Sequence, residues 1–194
     1  MEAQDRVRKN FLFYGWYVVG SAFMILFFNS GQGTKVGDRL VAKDCLPLAL
    51  QELREIRKRV PGRLILKGVL SAEDARKCLD AGADGIVVSN HGAHTLDYLP
   101  HPLQVMDEIV SAVRGQMAVI VDGGFRRGSD VLKGLAFGAD LVGIGRPVLY
   151  GLSAGGGDGV RDLVRGITAE LARLMTMVGA RRVHRVTRDM LIRD

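Results

Sequence analysis

The stretch from Leu64 to Arg146 contains LILK (64–67), IVVSNH (86–91), AVIVDGG (118–124) and LVGIGR (141–146). Each begins with a short apolar run, namely Leu64–Leu66, Ile86–Val88, Ala118–Val121 and Leu141–Ile144, and ends in polar residues or glycines. Short runs of aliphatic and β-branched residues are typical of parallel strands buried on both faces. Stretches with helical periodicity lie between them, and this alternation predicts parallel βαβ units. The predicted fold class is therefore α/β, a partial (β/α) barrel made of about the last four βα units.

Helical segments flank each predicted strand. Ser71-Ala-Glu-Asp74 has the pattern of a capping box and opens a helix that Gly82 closes. The other predicted helices cover residues 46–60, 103–113, 129–138 and 159–177. A complete barrel usually needs about 250 residues, whereas this chain has 194. A half barrel has two unpaired sheet edges, so we expect a homo-oligomer or a complementary half barrel as partner.

The N-terminal part has a different character. Phe11–Phe28 carries no charged residue and follows Arg6, Arg8 and Lys9. Its length is at the lower limit of a membrane-spanning helix, and the preceding basic residues favour a cytoplasmic N-terminus. The alternative is a buried hydrophobic helix or hairpin that caps an incomplete barrel. We predict an N-terminal hydrophobic helix with membrane contact, in a cytoplasmic protein anchored to the inner face of the membrane.

The turn-rich segment Asn29–Gly37 is the predicted domain boundary, which divides the chain into residues 1–37 and 38–194. The net charge of +6 suits an anionic partner. Because the basic residues are scattered and no nucleic-acid-binding signature is present, a solvated basic surface is favoured over nucleic-acid binding. Cys45 and Cys78 have neither disulfide nor metal spacing and are interpreted as free thiols; no metal site is predicted.

Two successive strand ends are rich in glycine and arginine. Asp122-Gly-Gly-Phe-Arg-Arg-Gly128 follows the third run, and Gly143-Ile-Gly-Arg-Pro147 follows the fourth. Glycines allow close approach of the backbone to an anion, and helix N-termini add N–H donors. Arginine adds charge-assisted bonds to phosphate. The loops after the last two strands are the usual phosphate site of a barrel, so this pair predicts phosphate binding rather than ordinary surface turns.

Three ionisable residues end the first three runs. His91 follows the second strand, Asp122 the third and Lys67 the first. A carboxylate beside an imidazole stabilises its protonated form, which is how a general base near neutral pH is built. Lys67 would place a cation at the same end of the predicted barrel, although a lysine at a strand end is often only a surface residue.

Four long motifs carry a family resemblance: LILKGVLSAEDA, GADGIVVSNHGAHTLD, VIVDGGFRRGSDVLKGLAFGAD and LVGIGRPVLYGL. They resemble the FMN-dependent α-hydroxy acid dehydrogenase and oxidase family, which includes glycolate oxidase, lactate oxidase and mandelate dehydrogenase. The resemblance covers about residues 46–194, the second half of that family's barrel. It implies FMN as cofactor and the oxidation of a small 2-hydroxy acid to a 2-oxo acid.

The resemblance also implies roles for individual residues. His91 matches the catalytic base and Asp122 its partner carboxylate, while Lys67 matches a lysine that stabilises the anionic reduced flavin. Ser89 matches a residue that contacts the flavin ring. The residues that match the FMN phosphate and ribitol loops are Asp122, Gly123, Gly124, Arg126, Gly145 and Arg146.

Two departures from the family pattern lower the expected activity. The family has an arginine that binds the substrate carboxylate where this chain has His94, and a neutral imidazole cannot form that bidentate pair. The first four βα units have no counterpart in residues 1–37. We therefore expect FMN-dependent oxidation that is impaired in this chain, or else a non-catalytic half barrel that at most binds FMN or phosphate. A different phosphate-binding barrel is a third alternative, which the Ser89-Asn-His-Gly92 motif disfavours.

Overall fold

The described residues form five parallel strands and five helices. In the computed structural model, residues 24–27, 50–60, 62–93 and 97–191 are described. The strands are β1 (Met24–Phe27), β2 (Leu64–Val69), β3 (Gly85–Val88), β4 (Ala118–Val121) and β5 (Leu141–Val142). The helices are α1 (Leu50–Arg59), α2 (Ala72–Asp80), α3 (Pro102–Val113), α4 (Gly128–Ala136) and α5 (Arg146–Met177). Short 3₁₀ turns cover His91–Ala93, Val183–Arg185 and Arg188–Met190.

The order of the strands identifies the architecture. The sheet has the sequential order β1-β2-β3-β4-β5, and every neighbouring pair is parallel. Each crossover therefore moves to the next strand in one direction. A doubly wound sheet would reverse its order at a switch point, whereas a (β/α) barrel does not. The predicted partial barrel is confirmed.

Strand β1 corrects two predictions about the N-terminal part. Met24–Phe27, predicted as the end of a hydrophobic helix, is a strand, so the sheet has five strands rather than four. The physical reason is that the edge of β2 offers unpaired backbone groups, and β1 pairs with it in the register Met24–Leu64 to Phe27–Lys67. The rest of Phe11–Phe28 and the Asn29–Gly37 boundary lie outside the described residues.

The membrane-spanning interpretation also changes. With Met24–Phe27 in the sheet, the uncharged run that remains is residues 11–23, shorter than the roughly 17 residues that a spanning helix needs. Among the helices that the structure describes, none is long and apolar enough to cross a bilayer.

One apolar core lies between the sheet and helices α1 to α3. Alternate strand residues enter it, as the two-residue period of a strand requires; they are Leu64, Leu66, Ile86, Val88, Val119 and Val121. The helices contribute Leu53, Ala75, Cys78, Met106, Ile109 and Val113. Burial raises the pKa of the Cys78 thiol to about 12, which agrees with a free, inert thiol. Cys45 lies outside the described residues.

Helix boundaries follow the predicted signals with one exception. The Ser71 Oγ accepts a hydrogen bond from the Asp74 N–H at 3.1 Å, which confirms the cap of α2. The range of α5 consists of two helices that meet at a kink at Gly155 and Gly156, where Gly156 has a φ of 56°. The first of them begins at Arg146, with Pro147 in its first turn, and was not predicted. The second extends to Met177 and agrees with the predicted helix 159–177.

Candidate functional site

The C-terminal ends of β2 to β5 enclose one cavity of about 170 Å³. Ligand pockets usually measure about 300–1,000 Å³, so these residues enclose part of a site. The lining residues are Lys67, His91, Gly92, Asp122, Gly123, Gly124, Phe125, Arg126, Gly143, Gly145, Arg146 and Pro147. The structure thus brings together residues that the sequence singled out at four separate positions. His94 lies outside the described residues.

Lys67 and Asp122 form the charged centre of this cavity. The Lys67 Nζ lies 3.0 Å from the Asp122 Oδ2 and donates a hydrogen bond to the Ser89 Oγ at 2.8 Å. The side chains of Lys67 and Asp122 are only 16% and 24% exposed. The pair is therefore partly desolvated, and its attraction is screened less than that of a surface ion pair.

A bulge in β2 contributes to the position of Lys67. Lys67 pairs with Val87 and Val69 pairs with Val88, so Gly68 is an extra residue in β2. Gly68 has a φ of 99°, a backbone conformation that glycine adopts readily. Such bulges redirect neighbouring side chains and are frequent next to active sites.

The Asp122 carboxylate has one oxygen without a partner. Its Oδ1 is buried and makes no hydrogen bond to the described part of the chain. A buried acceptor without a partner costs about 1–3 kcal/mol, and more for a charged group. Such an atom in a cavity wall is what a hydrogen-bond donor from a ligand or a protonated side chain would satisfy.

His91 lies on a tightly tied turn after β3. The Ser89 Oγ accepts a hydrogen bond from the His91 N–H at 3.1 Å, and the Asn90 Oδ1 accepts one from the Gly92 N–H at 3.0 Å. His91 and Ala93 have φ values of 58° and 57°, which are uncommon outside glycine. Backbone strain of this kind clusters at functional sites. The pairing of His91 with Asp122 stays a prediction.

Two glycines after β4 form the floor of the cavity next to Asp122. Gly123 and Gly124 have φ values of 103° and 83°. A Cβ on Gly123 would lie 3.2 Å from the Pro102 Cγ, so a larger residue has little room there. Across the cavity, a Cβ on Gly92 would lie 3.8 Å from an Arg146 guanidinium nitrogen. Arg146 thus lies close to the turn that carries His91.

The two adjacent arginines of this loop have different environments. Arg126 lines the cavity. Arg127 instead points at helix α5, where its Nε lies 2.8 Å from the Glu170 Oε1. This hydrogen bond raises the pKa of Arg127 and lowers the pKa of Glu170. Of the pair, Arg126 is available to an anion and Arg127 is bound within the protein.

The start of α4 differs from the predicted anion site. The Asp130 Oδ2 accepts hydrogen bonds from the Arg126 and Arg127 N–H groups at 3.0 and 3.2 Å. The Glu170 Oε2 accepts one from the Gly128 N–H at 2.8 Å. These donors, expected to face a phosphate, are satisfied by carboxylates of the chain itself. The groups that remain available to bind an anion here are the Gly123–Gly124 loop, Arg126, Arg146 and the first turn of α5.

Two residues that shape the site, Asn90 and Glu170, were missed in the sequence, whereas Gly143 and Phe125 line the cavity as members of the two predicted glycine-rich motifs. The Asn90 Nδ2 donates a hydrogen bond to the Pro100 carbonyl at 3.3 Å and so stabilises the turn that carries His91. The position of Asn90 between Ser89 and His91, two predicted site residues, could have indicated its role. No sequence pattern indicates the role of Glu170, because it contacts Gly128 only through the packing of α5 on α4.

Comparisons with known proteins place this arrangement among flavin enzymes. Residues 28–193 match the FMN-dependent dehydrogenase family. A peroxisomal (S)-2-hydroxyacid oxidase of Arabidopsis thaliana is 49% identical over 126 residues, which are 65% of this chain and 35% of that protein. L-lactate oxidase of Lactobacillus jensenii is 43% identical over 156 residues, 80% of this chain and 38% of that protein. The chain thus spans little more than a third of the length of these relatives.

Solved structures of mandelate oxidase and mandelate dehydrogenase are also similar to this chain. Mandelate oxidase with benzoyl-formic acid is 44% identical, with a TM-score of 0.69 over 73% of this chain and 42% of that one. The monotopic membrane protein (S)-mandelate dehydrogenase is 39% identical, with a TM-score of 0.72 over 76% of this chain and 39% of that one. The similarity therefore extends to the fold as well as to the sequence.

Proposed function

Because this chain belongs to the FMN-dependent dehydrogenase family, we propose that it carries the phosphate-binding and proton-transfer part of a site that oxidises a 2-hydroxy acid to a 2-oxo acid with FMN. The observation that carries the proposal is the convergence of Lys67, His91, Asp122 and the glycine loop on one cavity. Both relatives described above by sequence are named as oxidases of hydroxy acids.

The residues present fit the phosphate end of FMN. The glycines of this site allow an anion to approach the backbone closely, since Gly123, Gly124 and Gly145 line the cavity without side chains. Arg126 and Arg146, both lining the cavity, supply the charge-assisted donors that suit a phosphate dianion. When bound, FMN accepts the hydride equivalent that leaves the α-carbon of the substrate.

The chain's own residues would carry the proton chemistry. In this proposal the His91 imidazole takes the proton of the substrate hydroxyl. The unpartnered Asp122 Oδ1 is the oxygen that can stabilise the protonated imidazole. Lys67 keeps a positive charge next to Ser89, where it favours an anionic flavin ring.

Substrate binding is where this chain departs from its family. With His94 at the position of the expected arginine, the bidentate contact to the substrate carboxylate is lost. Loss of one such charge-assisted contact costs about 1.5–3 kcal/mol of binding. We therefore expect weak binding of small 2-hydroxy acids, partly restored if His94 is protonated.

The partners and location of the chain belong to the same proposal. Among the described residues, no strand lies beyond β1 or β5 in the sheet, and a second copy or a complementary half barrel would supply one. The apolar residues 11–23 have a length that suits contact with a membrane surface rather than a spanning helix. Arg6, Arg8 and Lys9 precede these residues, which favours a cytoplasmic protein in contact with the inner face of the membrane.

Anaerobic reduction of the bound flavin tests the oxidation. We expect the FMN-loaded chain to bleach slowly with lactate, glycolate or mandelate. A His91→Gln variant that still binds FMN should bleach on the order of 100-fold more slowly or more, as loss of a general base predicts. Absorbance at the flavin maximum after desalting and substrate addition measures both quantities.

Two outcomes separate this proposal from its alternative. FMN that stays bound but is not reduced by any of the three acids would favour a non-catalytic FMN-binding half barrel. Equal bleaching by the His91→Gln variant and the unmodified chain would contradict the role of His91.

A further inference from the structure

The last turns of α5 and the segment that follows it carry a concentration of positive charge. Residues 171–188 contain five arginines and neither aspartate nor glutamate. Three of these arginines and one histidine lie in the loop 181–185, which we call the basic loop, and all four side chains are exposed. The basic residues, which were interpreted as scattered, therefore include a concentration in this part of the chain.

The arginines of the basic loop, like some other exposed arginines such as Arg76 and Arg173, have no carboxylate within ion-pair distance among the described residues. Within the described part of the chain, Arg181, Arg182 and Arg185 have no ion pair or side-chain hydrogen bond. Elsewhere a carboxylate oxygen lies within 4.0 Å of Arg57, Arg63, Arg127, Arg161, Arg165 and Arg188. The charge of the basic loop is thus left open to an external anion.

The basic loop is held in place from both sides. Ala180 before it and Val186 after it are buried in the apolar cluster between α4 and α5. The Arg188 guanidinium carbon lies 3.5 Å from the centroid of the Phe137 ring, and the Arg188 Nη1 lies 3.5 Å from the Asp107 Oδ1. The exposed arginines are therefore presented on an anchored turn.

Apolar side chains lie among these charges. Met177 is 75% exposed and Val183 is 37% exposed. Exposed apolar groups beside arginines suit an anionic bilayer, where basic side chains meet headgroups and apolar ones enter the boundary below them. A single-stranded nucleic acid would instead need aromatic stacking platforms, and residues 171–188 contain no aromatic residue.

We propose that the basic loop, together with Met177, is a docking surface for an anionic lipid bilayer. It lies near Phe137 at the C-terminal end of α4, whereas the cavity lies beside Arg126 at the other end. The nine residues of α4 separate the two sites by about 13 Å, from a rise of 1.5 Å per residue. Docking would leave the cavity open to its ligands.

Vesicle co-sedimentation of the full chain tests this surface. We expect much tighter binding to phosphatidylcholine vesicles that contain phosphatidylserine than to pure phosphatidylcholine vesicles, where only the apolar residues 11–23 would contribute. A variant with Arg181→Gln, Arg182→Gln and Arg185→Gln should lose on the order of 100-fold in partitioning, since each arginine near the surface contributes about fivefold. Its FMN affinity should stay unchanged.

A matched variant removes the same charge elsewhere. Arg76→Gln, Arg161→Gln and Arg165→Gln change three other exposed arginines, and this variant should keep most of the binding. Equal loss in both variants would overturn the proposal in favour of general charge attraction. Full binding by the basic-loop variant would overturn it in favour of another segment. Tighter binding to a single-stranded RNA than to anionic vesicles at equal charge concentration would overturn the choice of lipid.

Discussion

Replacing Gly128 by alanine is expected to lower the free energy of unfolding by about 3 kcal/mol. Gly128 is the first residue of α4 and is packed against helix α5. A Cβ at this position would lie 2.8 Å from the Glu170 Cβ and would also collide with the Leu171 backbone nitrogen. Backbone cannot move aside as a flexible side chain can, so α4 and α5 must separate.

The same change would disturb the hydrogen bonds that tie the loop to α5. The Glu170 carboxylate binds both the Gly128 N–H and the Arg127 side chain. Gly166 offers a matched control, because it lies within α5 and a Cβ there would meet open space. We expect Gly166→Ala to stabilise the chain by about 0.5–1 kcal/mol, through the better helix propensity of alanine.

Chemical denaturation of the two variants measures the difference. A destabilised Gly128→Ala beside an unchanged or stabilised Gly166→Ala supports the close approach of the two helices. Equal stability of both variants would show that α4 and α5 do not pack as described.

The second large effect concerns the neighbouring arginines. We expect Arg126→Ala to weaken FMN binding roughly 10- to 100-fold, since a hydrogen bond to a charged group contributes about 1.5–3 kcal/mol. Arg127→Ala removes the same charge one residue away but acts on the Glu170 pair. Its FMN affinity should change by less than about threefold, while its stability falls.

Flavin fluorescence titration compares the two affinities. A strong loss for Arg126→Ala alone supports phosphate binding in this loop. Similar losses in both variants would mean that only the overall positive charge matters, and stronger loss in Arg127→Ala would reverse the assignment.

Local patterns predicted most of the sheet and the position of the site. The apolar runs located β2 to β5, and their polar ends located Lys67, His91 and Asp122, because parallel strands all end at the same edge. β1 was assigned wrongly, since a uniformly apolar run has no period that separates strand from helix. Only the unpaired edge of β2 decides between them, and that edge is a tertiary feature.

The details of the site depended on contacts distant in sequence. The sequence gives no reason to assign different roles to Arg126 and Arg127. Only the packing of α5 brings Glu170 next to Arg127. Because of the same packing, the Gly128 N–H donates its hydrogen bond to Glu170, whereas the sequence alone predicts that this N–H faces a phosphate. The Lys67–Asp122 ion pair joins two predicted residues whose direct contact no local pattern reveals.

Comparing the affinities of the full chain for FMN and for riboflavin tests the central claim most directly. The two ligands share the flavin ring and the ribityl chain, and only FMN carries the phosphate. If Arg126, Arg146 and the glycine loop hold a phosphate, FMN should bind at least about 100-fold more tightly than riboflavin. Equal affinities, or no binding of FMN at all, would contradict a phosphate site at the ends of β4 and β5.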